Sequence, residues 1–173
     1  MEWRYTRPAV WLHWIVALMV AGLLGLGWYM MSVEHEPGTR WLFRLHKSIG
    51  VLAFAVILLR VLWRATHRPE PLPAPMPAWQ IKLSHLVQWS LYACMVIMPA
   101  LGIVGAAYSK SGIAVFGVKF PDVVTPDHDT AEQFFGLHST VAWVMVALIA
   151  LHAVGGLKHL LVDKDRVFQR MWR

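Results

Sequence analysis

The stretch FFGLHSTVAWVMVALIALHAVGGLKHLL, residues 134–161, decides the fold. It is apolar over the length of a bilayer crossing, yet it carries His138 and His152 inside the run. Ionisable side chains at such positions are costly in hydrocarbon and mark a functional site by default. The two lie 14 residues apart. At ~1.5 Å and ~100° per residue that spacing puts them ~21 Å apart along a helix axis and within ~40° of one face. One helix therefore offers a nitrogen ligand at each of two depths.

Three further apolar runs precede it, at roughly 10–31, 41–63 and 83–108. Each has the ~20 residues that a bilayer requires. The chain is 57% hydrophobic and 15% charged, with a mean hydropathy of +0.49, which is too apolar for a soluble domain of this size. Trp11, Trp14, Trp28, Trp41, Trp63, Trp79 and Trp89 fall near the ends of the runs, where amphipathic rings prefer the headgroup layer. The expectation is an all-α membrane protein, a four-transmembrane-helix bundle forming a single domain over 1–173 with no internal repeat. Cys94 is the only cysteine, so intramolecular disulfides and thiolate-held iron–sulfur or zinc centres are excluded. The first run follows Arg4 and Arg7, lacks a small-residue cleavage pattern and is long enough to span, so it is expected to be retained as a helix.

With both termini on one side, that side holds Arg4, Arg7, Arg60, Arg64, Arg68, Lys82, Lys158, Lys164, Arg166, Arg170 and Arg173, eleven bases. The other side holds Arg40, Arg44, Lys47, Lys110 and Lys119, five. The positive-inside bias then places both termini in the cytoplasm of a bacterial inner membrane protein. The formal charge of +6 is accounted for by this topology and does not point to nucleic acid. The basic C-terminal tail is suited to anionic lipid. The segment Pro-Glu-Pro-Leu-Pro-Ala-Pro-Met-Pro, residues 69–77, reads as an extended connector. The loop after Tyr108 carries Val115, Phe116 and Phe120 and is expected to fold back over the outer end of the bundle.

Depth pairs the histidines. His13 lies 18 residues from Met31 and His152 18 from Phe134, so both sit ~27 Å from the outer ends of their runs. His46 and His138 each lie about one turn in from the outer end. Two facing imidazoles at each of two stacked depths suit b-type haem, whose iron takes two axial nitrogens and whose macrocycle fills a gap between helices. Closing both axial positions favours electron transfer over oxygen activation. The candidate iron ligands are thus His13 with His152 and His46 with His138. A lone histidine near a helix end is ordinarily an interfacial polar residue; matched depth and shared face set these four apart. Gly22, Gly25, Gly27 and Gly50 are suited either to a macrocycle approaching the backbone or to ordinary helix packing.

The remaining polar residues are less specific. His159 shares the face of His152 but lies ~10 Å beyond it, at an interfacial depth where it would serve as a proton donor or substitute ligand. His85 opens the third run and is a candidate for propionate or quinone contact. His35, His67 and His128 are expected in solvated loops. Arg44 and Lys47 flank His46, with Arg40 one turn earlier, forming a local cationic cluster able to hold propionates or draw in a small anion. The steering would be local, because the five bases of that face meet six acids, Glu34, Glu36, Asp122, Asp127, Asp129 and Glu132. Arg60 and Arg64 are expected to snorkel. Cys94, Met95 and Met98 read as packing.

Trp11-Leu-His13-Trp14, Leu45-His46-Lys47-Ser48-Ile49-Gly50 with Leu59-Arg60 and Trp63-Arg64, Leu137-His138 and Leu151-His152 together resemble the prokaryotic cytochrome b561 family over essentially the whole chain. The resemblance implies a four-helix inner-membrane protein with two b haems on His13, His46, His138 and His152. It also implies kinship with the cytochrome subunits of membrane hydrogenases and formate dehydrogenases. One branch is known as a superoxide oxidase, passing electrons from periplasmic superoxide to ubiquinone. On that reading Arg44 and Lys47 are candidates for receiving the anion. The alternative is a haem-bearing anchor that relays electrons between a partner dehydrogenase and the quinone pool; a histidine-lined metal transporter is a third, distant reading.

Overall fold

A computed structural model describes residues 4–71 and 76–172; the middle of the proline-rich connector and Arg173 fall outside the described residues. Four helices, α1 Arg7–Ser32, α2 Arg40–Thr66, α3 Ala78–Tyr108 and α4 His128–Lys158, are long and apolar enough to cross a membrane. The shortest has 26 residues, ~39 Å at ~1.5 Å per residue, more than the ~30 Å of a hydrocarbon core.

Three of the helices begin three to six residues before the apolar runs do, and each start has a local cause. Pro8 sits in the first turn of α1, where a missing N–H costs nothing. Pro77 precedes α3, which starts at Ala78 and takes in Trp79 and Lys82. Asp127 caps α4 by accepting the Thr130 amide at 2.7 Å. That backbone N–H, foremost, holds its carboxyl below the usual carboxylate range. His128, expected in a loop, is therefore the first residue of α4.

Between α3 and α4 the chain forms a small hairpin, β1 Ala114–Val115 paired with β2 Val118–Lys119. Phe116 and Gly117 both adopt positive φ, as a two-residue primed turn requires. The hairpin lies on the start of α2: the Phe116 amide donates to Ser48 Oγ at 2.9 Å, and Lys47 Nζ donates to Ser111 Oγ and to the Gly112 carbonyl at 3.0 and 3.2 Å. At the opposite end the two termini meet. The Tyr5 amide donates to the Arg170 carbonyl, Trp14 Nε1 donates to the Met171 carbonyl at 2.8 Å, and the Arg170 guanidinium stacks over Tyr5. Arg170, counted above in the basic tail, is buried and donates to the Glu70 carbonyl at 2.7 Å. It ties the connector to the bundle and is not free to meet lipid.

Backbones approach closely along α3–α4, α1–α2 and α2–α3. Among the described residues α4 faces α1 and α2 across a wider seam, closed at mid-height by the side chains of Val16, Val20, Ile57, Met98 and Met145. Met145 is fully buried and stands seven residues from both His138 and His152, ~10 Å along the axis from each. Outward-facing Trp11, Leu18, Trp89 and Trp143 are exposed, as a bilayer solvent allows. The small apolar plug thus lies between two levels of the seam, one toward each end.

Candidate functional site

Each level holds two imidazoles. His13 of α1 faces His152 of α4 with ring centroids 6.2 Å apart and planes at 74°. His46 of α2 faces His138 of α4, also at 6.2 Å, with planes at 79°. Imidazole nitrogens bind first-row metals at ~2.0–2.1 Å and lie ~1.1 Å from their own ring centre, so one shared ion imposes a centroid separation of ~6.3 Å. The spacing of both pairs therefore fits an iron held between them. Gly22 and Gly25 are exposed, with open space where a Cβ would stand, as at Gly50, whereas a Cβ at Gly27 would lie 3.4 Å from His46 Cε1, so Gly27 is the glycine that lets α1 approach the site.

Neighbouring groups orient the rings differently. His138 Nδ1 lies 2.7 Å from the Met98 carbonyl, so Nδ1 carries the proton and donates, leaving Nε2 with its lone pair for a metal. Gly102 makes this approach possible, since a Cβ there would sit 3.0 Å from Nδ1 and 3.1 Å from Cε1 of His138. His46 Nδ1 is buried with no hydrogen-bond partner, an orphan that calls for an explanation. His13 Nδ1 lies 3.3 Å from Arg60 Nη2. Arginine only donates, so the ring accepts there and holds its proton on Nε2; binding a metal through Nε2 moves that proton.

Arg60 does not snorkel. Its Nη1 donates to the Ala9 carbonyl at 3.1 Å and its guanidinium lies 5.6 Å from the Tyr92 ring centre, so three bundle groups draw it inward to His13. Its position in the last two turns of α2 carried no signal of this, because an arginine reaching for the interface and one reaching for a neighbouring helix have the same spacing.

The other candidates take diverse places. Arg40 and Arg44 are exposed and line an open cleft of about 660 Å³ with Glu34, His35 and Glu36, at the hairpin end. Lys47 is held by the hairpin as described. His159 lies with Asp165 Oδ2 at 2.6 Å and Asp163 Oδ2 at 3.2 Å from its Nδ1, in a π-turn at the end of α4. His85 is exposed and makes no hydrogen bond or ring contact among the described residues. His67 caps α2 stacked on Trp63 at 3.9 Å, and Cys94 and Met95 pack against the central plug.

Residues 4–173 match the family model described as prokaryotic cytochrome b561. The chain is 32% identical to cytochrome b561 homolog 2 of Escherichia coli strain K12, over 97% of this chain and 90% of the relative. It is 29% identical to cytochrome b561 homolog 1 of the same strain, over 97% and 96%. It is 25% identical to a probable superoxide oxidase, CybB, of Yersinia pestis, over 99% and 97%.

Proposed function

Because the chain belongs to the prokaryotic cytochrome b561 family, a family of b-haem membrane electron-transfer proteins, we propose that it moves electrons from superoxide at the periplasmic face to ubiquinone, with both termini cytoplasmic. His13 with His152 and His46 with His138 would hold two b haems. When bound, each would supply a one-electron iron couple. The observation that carries this reading is the 6.2 Å separation of both facing pairs, set at two levels by one helix. The chain's own part is to fix those rings, to seal the space between them with Met145 and its neighbours, and to gather the donor.

Arg40 and Arg44 stand exposed at the hairpin end within two turns of His46 on α2, in a cleft they share with Glu34 and Glu36. The two guanidinium groups are the donors there that would meet a small anion, and Arg44, on the His46 side, lies nearer the ring in sequence. In balance, two superoxide anions become two dioxygen molecules, while one quinone takes two electrons and two protons to become quinol. Purified haem-loaded protein supplied with oxidised quinone is expected to consume superoxide above the uncatalysed rate and to form quinol in a 2:1 ratio. Consumption at the background rate would remove superoxide as donor.

A haem-bearing anchor for a partner dehydrogenase is favoured by one observation, that the 32% and 29% identical relatives are named cytochromes without a donor. Haem that is reoxidised by quinone yet ignores superoxide, in protein that brings a redox subunit with it, would establish that reading instead.

A further inference from the structure

The two facing pairs differ in what stands behind them. Behind His138 is a neutral acceptor, the Met98 carbonyl, and His46 Nδ1 is buried against α1 at Gly27 with no hydrogen-bond partner. Behind His13 is a guanidinium, fixed by the Ala9 carbonyl and by Tyr92, with no carboxylate partner among the described residues. An arginine stays charged in any such setting. The cations near His46 act at a greater remove: Arg44 is exposed and screened by water, and the Lys47 ammonium is turned into the hairpin by Ser111 and Gly112.

We propose that the charge of Arg60, held beside His13 by the Ala9 carbonyl and Tyr92, makes the haem on His13 and His152 the higher-potential one, so that electrons run from the hairpin end toward the end where the termini meet. The inference rests on the two-haem reading above. An uncompensated positive charge beside a ligand ring opposes the ferric state, which carries one more positive charge than the ferrous, and favours reduction. A carbonyl accepting from the ligand's second nitrogen does the reverse, because it makes the imidazole a stronger electron donor. The asymmetry therefore has one sign at both levels. Iron on His13 Nε2 puts a proton on Nδ1, where it faces the N–H donors of Arg60. The Ala9 carbonyl, which accepts from Nη1, would keep the charge at that level.

The test is a redox titration of the haem-loaded protein followed in the visible spectrum. The wild type is expected to titrate as two components, with the higher one retained in His138→Ala. Arg60→Gln is expected to shift the reduction equilibrium of that component toward the oxidised form by at least about tenfold, which is ~59 mV for one electron, with the lower component unmoved. Arg60→Lys, which keeps the charge, is expected to shift it less. If Arg60→Gln moves neither component, or only the lower one, the inference is overturned. Should Arg60→Gln lose that haem, Arg60→Lys decides: an equilibrium held within about threefold (~28 mV) supports the role of the charge, and a tenfold shift overturns it. A wild type that binds no haem would instead strike the two-haem reading itself and this inference with it.

Discussion

Gly102→Ala tests how the ring of His138 is aimed. The new methyl carbon would meet His138 Nδ1 at 3.0 Å and Cε1 at 3.1 Å, and neither is the far end of a flexible chain. Ordinary contact begins at ~3.4 Å, so the ring must recede by ~0.4 Å or turn. Either motion stretches the 2.7 Å bond to Met98 and pulls the ring off the line to His46. Losing such a bond costs about 1 kcal/mol, overpacking costs about 1–3 kcal/mol, and outer partners of metal ligands are worth about 10–100-fold in affinity. These agree: a decade is ~1.4 kcal/mol. Haem transfer from the purified protein to an excess of apomyoglobin should therefore show one haem leaving about 10–100 times faster than in wild type, with the haem at His13 and His152 unaffected. Transfer of both haems at wild-type rates would refute the reasoning.

Other expectations follow from the same geometry. Ring planes at 74° and 79° would, with iron held between them, leave its dπ orbitals nearly degenerate, so the oxidised haem-loaded protein should give strongly anisotropic low-spin electron paramagnetic resonance signals at both sites, whereas an ordinary rhombic spectrum would mean that the rings lie parallel when haem is bound. Arg44→Glu reverses an exposed charge at the hairpin end and should slow superoxide consumption roughly tenfold at low ionic strength, the difference shrinking as salt rises; a salt-independent defect would rule out steering. Asp127 has its carboxyl held below the usual range by the Thr130 amide, so its capping contribution is complete above the unfolded carboxylate value and fades as pH falls through the lower folded one. Asp127→Ala should accordingly speed hydrogen exchange at the first turn of α4 near neutral pH and make little difference in strong acid.

Much of this architecture is legible in the residues, for identifiable reasons. Hydropathy marks spans because the bilayer imposes one length on every helix. The fixed rise of a helix converts sequence distance into depth, which is why His13 and His152, or His46 and His138, can be matched across helices never adjacent in sequence. Hydropathy cannot see helix ends made by charged or proline-bearing turns. The start of α4 at His128 needed the Asp127 cap to be read as a cap, and the hairpin turn needed Phe116-Gly117 to be read as a turn. Arg60 was illegible for a different reason. Its partners, Ala9, His13 and Tyr92, lie on two other helices, and the rotation that brings them together is a property of packing and not of any one run. The same holds for Gly102, whose importance comes wholly from the ring of α4 that presses on α3.

The claim that one helix serves both levels is tested most directly by counting haem. Visible spectra of the wild type, His138→Ala and His152→Ala, each normalised to protein, should give two, one and one haem per chain. The haem retained in each variant should match the component missing from the other. A single substitution that removes both haems while the helices remain folded, or neither substitution removing any, would contradict the account.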